Sequence, residues 1–402
     1  MKRYTHWMWI IICVNLLSVT SILSAQTENS VNAEWVRDME WKPDGSQIAF
    51  ATQAGLIQIL DSATGQTLVT LQNDATIPAY TLAWSPDGTK LASGGMDDLV
   101  KIWDATSGRL SQTLVGQTES IGDLDWNPDG VQLASVSNSA AFIWNITTGE
   151  HIQVGTGDAF SVAWSPDGST LAVGRLNEIR LYTSTGYTFD DARVISNIAG
   201  YVADMSWNRD GTKLAIGMFY TAESSAVQIL DVSTGQVLVS LEDPTDLVYA
   251  VQWSPDNTLI MGASLDQTVR LWNVVTEEAI EVIQTGNAVF SADFTPFGGR
   301  LAFGAVSSET AGLQQDAIPV IESFADGAIQ IIVPAPSLER LQAIQAACMS
   351  APAIATMDVQ AFTLDALPEY VAQVEALTDS QIPPGCAADL VAVAEALMAQ
   401  DR

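Results

Sequence analysis

The sequence predicts an all-β fold, a β-propeller of seven four-stranded blades, followed by a short helical segment. Three observations carry that prediction. A five-residue phrase, an aromatic residue leading into a tight-turn sequence, recurs seven times at steps of 38 to 46 residues. Around each phrase apolar and polar residues alternate with the period of a half-buried strand. Both patterns stop together near Pro334, where helical spacing takes over. A repeat of this length holding four strands is one propeller blade, a unit that can hide both faces of its sheet only between two neighbours.

The first 25 residues stand apart from the repeats. Lys2 and Arg3 precede an apolar run from Trp7 to Leu23, and Ser24 and Ala25 close it. That is the order of charge, apolar stretch and small residues in a secretory signal peptide. Leu23 sits where a small residue usually precedes the cut, so a retained N-terminal anchor is the alternative, although the run is short of the roughly 20 residues a spanning helix needs. Either reading places the rest of the chain in the medium or on the exterior of the cell envelope, tethered there if the segment is kept.

The repeated phrase reads WKPDG at Trp41, WSPDG at Trp84, WNPDG at Trp126, WSPDG at Trp164, WNRDG at Trp207, WSPDN at Trp253 and FTPFG at Phe294. Pro presets φ for the first central position of a turn, and Asp and Gly accept the remaining geometry. Each phrase is therefore a hairpin with an aromatic anchor, and burying one anchor between blades contributes about 1.5 to 3 kcal/mol. A second column falls about 20 residues later, at Leu60-Asp61, Trp103-Asp104, Trp144-Asn145, Tyr182-Thr183, Leu230-Asp231 and Trp272-Asn273. Turn residues such as Thr64-Gly65 and Thr234-Gly235 then introduce a fourth, outer strand. For blade seven two sources of that strand are open, Gly327 to Val333 or the segment before Trp35.

With these two columns the chain, over residues 34–333, resembles the WD-repeat family, whose name pair stands at Trp103-Asp104. The Gly-His pair usual before the inner strand is missing. Gly116-Gln117 occupies the matching place, and His151 is the sole histidine after the leader. The resemblance thus implies the family's architecture without its buried His, Ser, Asp and Trp network. Asp97 and Asp266 keep the Asp part in two blades, and packing is expected to supply most of the stability.

Residues 336–402 read as a helical appendage. Ser337 can cap a helix bearing Leu338, Leu341, Ile344 and Cys348 on one face. Asp365 and Pro368 start a second with Tyr370, Val371, Val374 and Leu377 apolar. Pro383, Pro384 and Gly385 break it, and a third runs near Ala387 to Met398. Cys348 and Cys386 are the two cysteines outside the leader, and in an oxidising compartment such a pair reads as a disulfide.

Composition narrows the function. A net charge of −31 repels phosphate backbones and anionic membrane surfaces, which argues against nucleic-acid and anionic-membrane partners. A hydrophobic fraction of 48% excludes an acidic disordered chain. A Ser-His-acid triad or a His-rich metal site needs imidazoles, and His151 alone after the leader, on an expected outer strand, supplies almost none; there is no Gly-rich phosphate loop. No catalytic residue, metal site or cofactor is therefore assigned, and paired carboxylates are the catalytic option left open.

Two rows on the inner strands are candidates for a site. Four positions before each anchor stand Arg37, Tyr80, Gly122, Phe160, Ala203, Tyr249 and Phe290. Strict alternation assigns them to the anchor's face, packed between blades. The functional reading puts them at the channel mouth, as rigid aromatics around an arginine. Three positions before the anchor stand Asp38, Thr81, Asp123, Ser161, Asp204, Ala250 and Ser291, whose carboxylates either bind backbone amides or weakly hold a cation. Two long connections, Phe219 to Ser225 and Ser307 to Gln315, offer loop surface on the same side, with Phe219 and Tyr220 as contact candidates. The expectation is a non-enzymatic exported scaffold that binds a protein or peptide through Arg37, Tyr80, Phe160, Tyr249, Phe290, Phe219 and Tyr220. The alternative is a carboxylate-based propeller that processes or binds glycans.

Overall fold

The computed structural model describes residues 35–71, 77–183, 193–196, 198–219, 227–241, 244–304, 320–324, 329–333, 338–348, 367–377 and 382–400. The export segment, Tyr220 and the rest of its connection, the connection at 307–315, and the capping residues Ser337 and Asp365 lie outside the described residues. Phe219 ends the second strand of blade five, Lys213–Phe219.

Seven antiparallel four-stranded sheets form the blades. Blade one runs from the inside outward as Val36–Trp41, Gln47–Thr52, Ile57–Asp61 and Thr67–Thr70. Blades two to six repeat this order, beginning at Ala79, Ile121, Ser161, Tyr201 and Val248. Each inner strand packs against the inner strands of both neighbours, and the last meets the first. There the Trp41 backbone amide donates to Asp293 Oδ2 at 2.8 Å, and its indole N–H donates to the Asp293 carbonyl at 3.1 Å.

The repeated phrase works as its chemistry requires. In six hairpins the Asp carboxylate accepts the backbone N–H two residues on, as in Asp87 to Thr89 at 3.0 Å and Asp167 to Ser169 at 3.0 Å. The following residue takes positive φ, 64° at Gly88, and blade six meets the demand with Asn257 at 60°. Several anchors use their indole nitrogens as well as their area. Trp84, Trp126 and Trp207 each donate to a carbonyl of the preceding blade, those of Glu40, Ala83 and Ala163, at 3.0 to 3.2 Å. Phenylalanine could fill the space but could not make that bond.

In the second column the polar residue builds the turn into the outer strand. Asp61, Asp104, Asn145, Asp231 and Asn273 each accept the N–H of the residue three positions later. Trp103, Trp144 and Trp272 are 1% exposed and centre their blades. The expected loss of the buried network needs correcting. Trp103 Nε1 donates to Ser93 Oγ at 2.8 Å and Trp144 Nε1 to Ser135 Oγ at 2.7 Å. The Ser135 hydroxyl in turn donates a hydrogen bond to Gln117 Oε1 at 2.9 Å, so the glutamine amide does in blade three what an imidazole would do. Asp97 and Asp266 lie between the second and third strands of blades two and six, paired with Lys101 at 2.5 Å and Arg270 at 2.6 Å.

Blade seven departs from the expected connection. Its strands lie in the order Ala292–Phe294, Leu301–Gly304, Ile329–Ile332, Val320–Phe324. The segment that ends at Val333 is thus the third strand, and the outermost strand is one placed before it in sequence. Three helices follow: α1 (Leu338–Cys348), α2 (Leu367–Glu375) and α3 (Pro384–Gln400). Their core holds Leu341, Ile344, Tyr370, Val374, Leu390 and Val393. Pro384 opens α3 instead of acting as a break, because a first-turn residue has no intrahelical N–H bond to lose. Cys348 and Cys386 are disulfide-bonded, with Cα atoms 6.1 Å apart. Among the described residues no helix is long and apolar enough to cross a membrane.

Candidate functional site

Each inner strand starts at one face of the ring, here the upper face, and ends at the anchor hairpin on the lower face. The anchor and the residue two before it are buried in all blades but one, where Trp207 is partly exposed. Five residues before the anchor the chain is buried again, at Val36, Ala79, Ile121, Ala159, Val202, Val248 and Val289. Strict alternation forbids that pattern, and a β-bulge resolves it. The strand register skips one residue in blades one, two, three, five and six, and the residue skipped is Arg37, Tyr80, Gly122, Ala203 or Tyr249. Phe160 and Phe290 stand just before their strands, which begin at Ser161 and Ala292.

In these five blades the residue four before the anchor is therefore turned out of the blade interface, and its assignment to the anchor's face is corrected there. The displaced side chains meet one another across blades. The Arg37 guanidinium lies 4.6 Å from the Phe290 ring centre and 5.2 Å from that of Tyr80. Trp35 stacks on Phe290 at 5.4 Å, and Tyr249 meets Phe290 edge-on at 5.0 Å. On the far side of the ring Phe160 meets Tyr201 edge-on at 4.9 Å. Except for Phe290, at 6% exposed, every residue of this group is half-buried. Trp35 and Tyr201 escaped the sequence reading because they lie outside the aligned row. The side chains of Phe219 and Tyr220 lie outside the described residues.

Below this cluster the inner strands carry acids whose oxygens are occupied. Asp38 accepts the N–H groups of Met39 (2.8 Å) and Leu82 (2.7 Å) and the Ser291 hydroxyl (2.9 Å). Asp123 binds Leu124 and Val162 in the same way, and Asp204 binds Met205 and Val251. One residue before the anchor the pattern repeats, with Glu40 accepting from Trp84, Asp125 from Trp164 and Asp293 from Trp41. Each carboxylate thus satisfies an inner-edge amide of the next blade that has no strand partner. Burial pushes Asp38 up to about 6 and Asp125, Asp204 and Asp293 up to about 7. It holds Glu40 and Asp123 well above the ordinary carboxylate range, with repulsion from Asp293 and Asp204 adding to it. Among the described residues no group of His, Cys, Asp or Glu side chains is arranged to hold a metal ion.

On the lower face a groove of about 310 Å³ lies between blades four and five, lined by Pro166, Asp167, Trp207, Arg209 and Asp210. Ser165, the residue that follows the anchor of blade four, also lines it. At the corresponding place Lys42 covers Gly88 of the next hairpin, and Asn127 Nδ2 reaches the Gly168 carbonyl at 3.0 Å.

Fold and repeat together define a seven-bladed β-propeller built from WD repeats. Residues 65–104, 108–145 and 235–273 match the family described as WD domain, G-beta repeat. These are the repeats that end in Trp103, Trp144 and Trp272. Residues 11–79 match the family described as Anaphase-promoting complex subunit 4 WD40 domain. Among curated proteins the chain is similar to the APC/C activator protein CDC20 of Saccharomyces cerevisiae, 25% identical over 42% of this chain and 34% of that protein. It is similar to Protein HIR1 of Cryptococcus neoformans, 29% identical over 32% of this chain and 16% of that protein. It also matches eukaryotic translation initiation factor 3 subunit I of Aspergillus oryzae, 36% identical over 24% of this chain and 28% of that protein. The chain spans less than half the length of each of these relatives.

Proposed function

We propose that this protein is an exported, non-enzymatic interaction module that holds a protein or peptide partner on its upper face, centred on Arg37 between Tyr80 and Phe290. The observation that carries this reading is the bulge, which spends a strand residue in most blades to turn side chains out of the core toward one another. Bulges that re-aim side chains recur at functional edges. Half-buried aromatics grouped with an arginine are the usual composition of an energetic centre in a protein interface. The relatives named above include an activator and a subunit of larger complexes, which is in keeping with a binding role.

The carboxylate alternative is weakened by the bonds just described. A general acid or nucleophile needs an oxygen free to face substrate. Asp38, Asp123 and Asp204 commit both oxygens to amides of two blades. The same role recurring at three junctions reads as architecture.

Capture of partners from culture medium and envelope fractions, with intact protein and with Arg37→Ala and Tyr249→Ala variants, tests the proposal. Arg209→Ala on the lower face is the control. A partner retained by intact protein and by the control, and lost from both upper-face variants, supports it. Retention by all variants, or turnover of a glycan abolished by Asp123→Asn, would sink it.

A further inference from the structure

Among the described residues no strand crosses from one blade to the next, and every blade takes its four strands from one stretch of chain. Six junctions are nonetheless covalently continuous, since an outer strand leads into the next inner strand. The junction of blade seven with blade one has no such link, because blade seven is followed by the helices. Its inner strand, Ala292–Phe294, is also only three residues long, against four to seven in the other blades. Opening this junction would expose Trp41, Ile48, Phe50, Ala302, Ile329 and Ile331, which form a single buried cluster.

The helices sit on that junction. Asp389 of α3 is 0% exposed and accepts from Arg300 Nε at 2.8 Å, from the Gly299 N–H at 2.9 Å and from the Thr295 hydroxyl, all in the lower hairpin of blade seven. One turn earlier on α3, the Gly385 N–H donates to the Asp44 carbonyl at 3.1 Å in the lower hairpin of blade one. A Cβ added at Gly385 would stand 2.5 Å from both the Asp44 oxygen and Gly45 Cα, so the two backbones touch. One helix therefore grips both sides of the junction. Arg300 also lies 4.9 Å over the Trp41 ring, and Arg340 of α1 reaches the Gly298 carbonyl. The disulfide joins Cys386, beside Gly385, to the end of α1.

Sequence agrees with this placement. Six hairpins carry Asp at the third position after the anchor, and blade seven has Phe297 instead. Phe297 packs against the helical core. The one hairpin that gave up its polar turn residue is the one the helices cover.

We propose that the C-terminal helices are a disulfide-tied clasp that holds the ring closed between blades seven and one. This goes beyond partner binding and stands independently of what the upper face holds. Asp389 and Gly385 are its two grips, and the Cys348–Cys386 bond keeps α1 and α3 from separating. The buried position of both sulfurs, at most 1% exposed, makes it a permanent fastening rather than a surface redox sensor.

Hydrogen–deuterium exchange of the full chain tests this, comparing wild type with Cys348→Ala/Cys386→Ala and with Gly385→Val, which pushes α3 off blade one sterically. Exchange should speed about tenfold or more in Val36–Trp41 and Ala292–Phe294 in both variants, while Ile121–Trp126 and Ser161–Trp164 stay within about twofold of wild type. Equal acceleration in all blades, or freely exchanging helices over unchanged junction strands, would overturn the proposal. If the double variant does not fold, Gly385→Val alone carries the same two readings.

Discussion

Arg37 holds two aromatic rings from neighbouring blades, and its planar guanidinium stacks where a lysine ammonium could not. Arg37→Lys is therefore expected to weaken a captured partner's binding by about tenfold while leaving the melting temperature within a degree or so, measured by titration and thermal unfolding. Gln117 is the second informative residue. By itself it reads as a loop amide, and only its place against Ser135 and Trp144 shows the role of a missing histidine. Ser135→Ala leaves a buried indole N–H and a buried amide oxygen without partners, and should cost about 1 to 3 kcal/mol in denaturant titration. Trp103 and Ser93 form a shorter version of the same chain, so Ser93→Ala should cost about 1 kcal/mol.

At the scale of strands and hairpins, most of the architecture was legible because it repeats. The anchors from Trp41 to Phe294, the turn residues and the second column each recur with a physical reason for the residue type. The bulge was not read, although the sequence carries its trace. An apolar residue stands five before every anchor, from Val36 to Val289, out of phase with the apolar residues at the anchor and two before it. A single strand cannot bury both sets without an inserted residue. The acid rows were visible as rows, but their clamp role needed three dimensions, since each oxygen pairs with a different blade. The burial of these acids makes a pH prediction. Asp38, Asp125, Asp204 and Asp293 have folded-state pKa values of about 6 to 7, above the unfolded value near 4. Their contribution is fully present below the unfolded value and is lost as pH rises through about 6 to 7. The melting temperature should thus be higher near about pH 5 than near about pH 8, by about 5 °C or more. Asp123→Asn/Asp204→Asn should flatten that slope, and an unchanged slope would remove the ring of acids as its cause.

For the molecule as a whole, charge and closure decide behaviour. With a net charge of −31 the folded ring repels itself, so raising salt from low to moderate concentration should raise the melting temperature. The outer strand of blade seven was not legible, because Val320–Phe324 precedes its partner Ile329–Ile332 and no repeat phrase marks that reversal. The appendage was legible as helices and as a cysteine pair, yet its place on the junction was not, since Asp389 and Gly385 carry no periodic signal. What ties these features to function is the outward turn of one row of side chains above a closed core. Hydroxyl-radical footprinting of the free protein measures that turn directly. Tyr80, Phe160 and Tyr249 should label about fivefold or more faster than the anchors Trp41, Trp84 and Trp126. Labelling as slow as that of the anchors would mean that the row packs between blades and that the upper face offers no such surface.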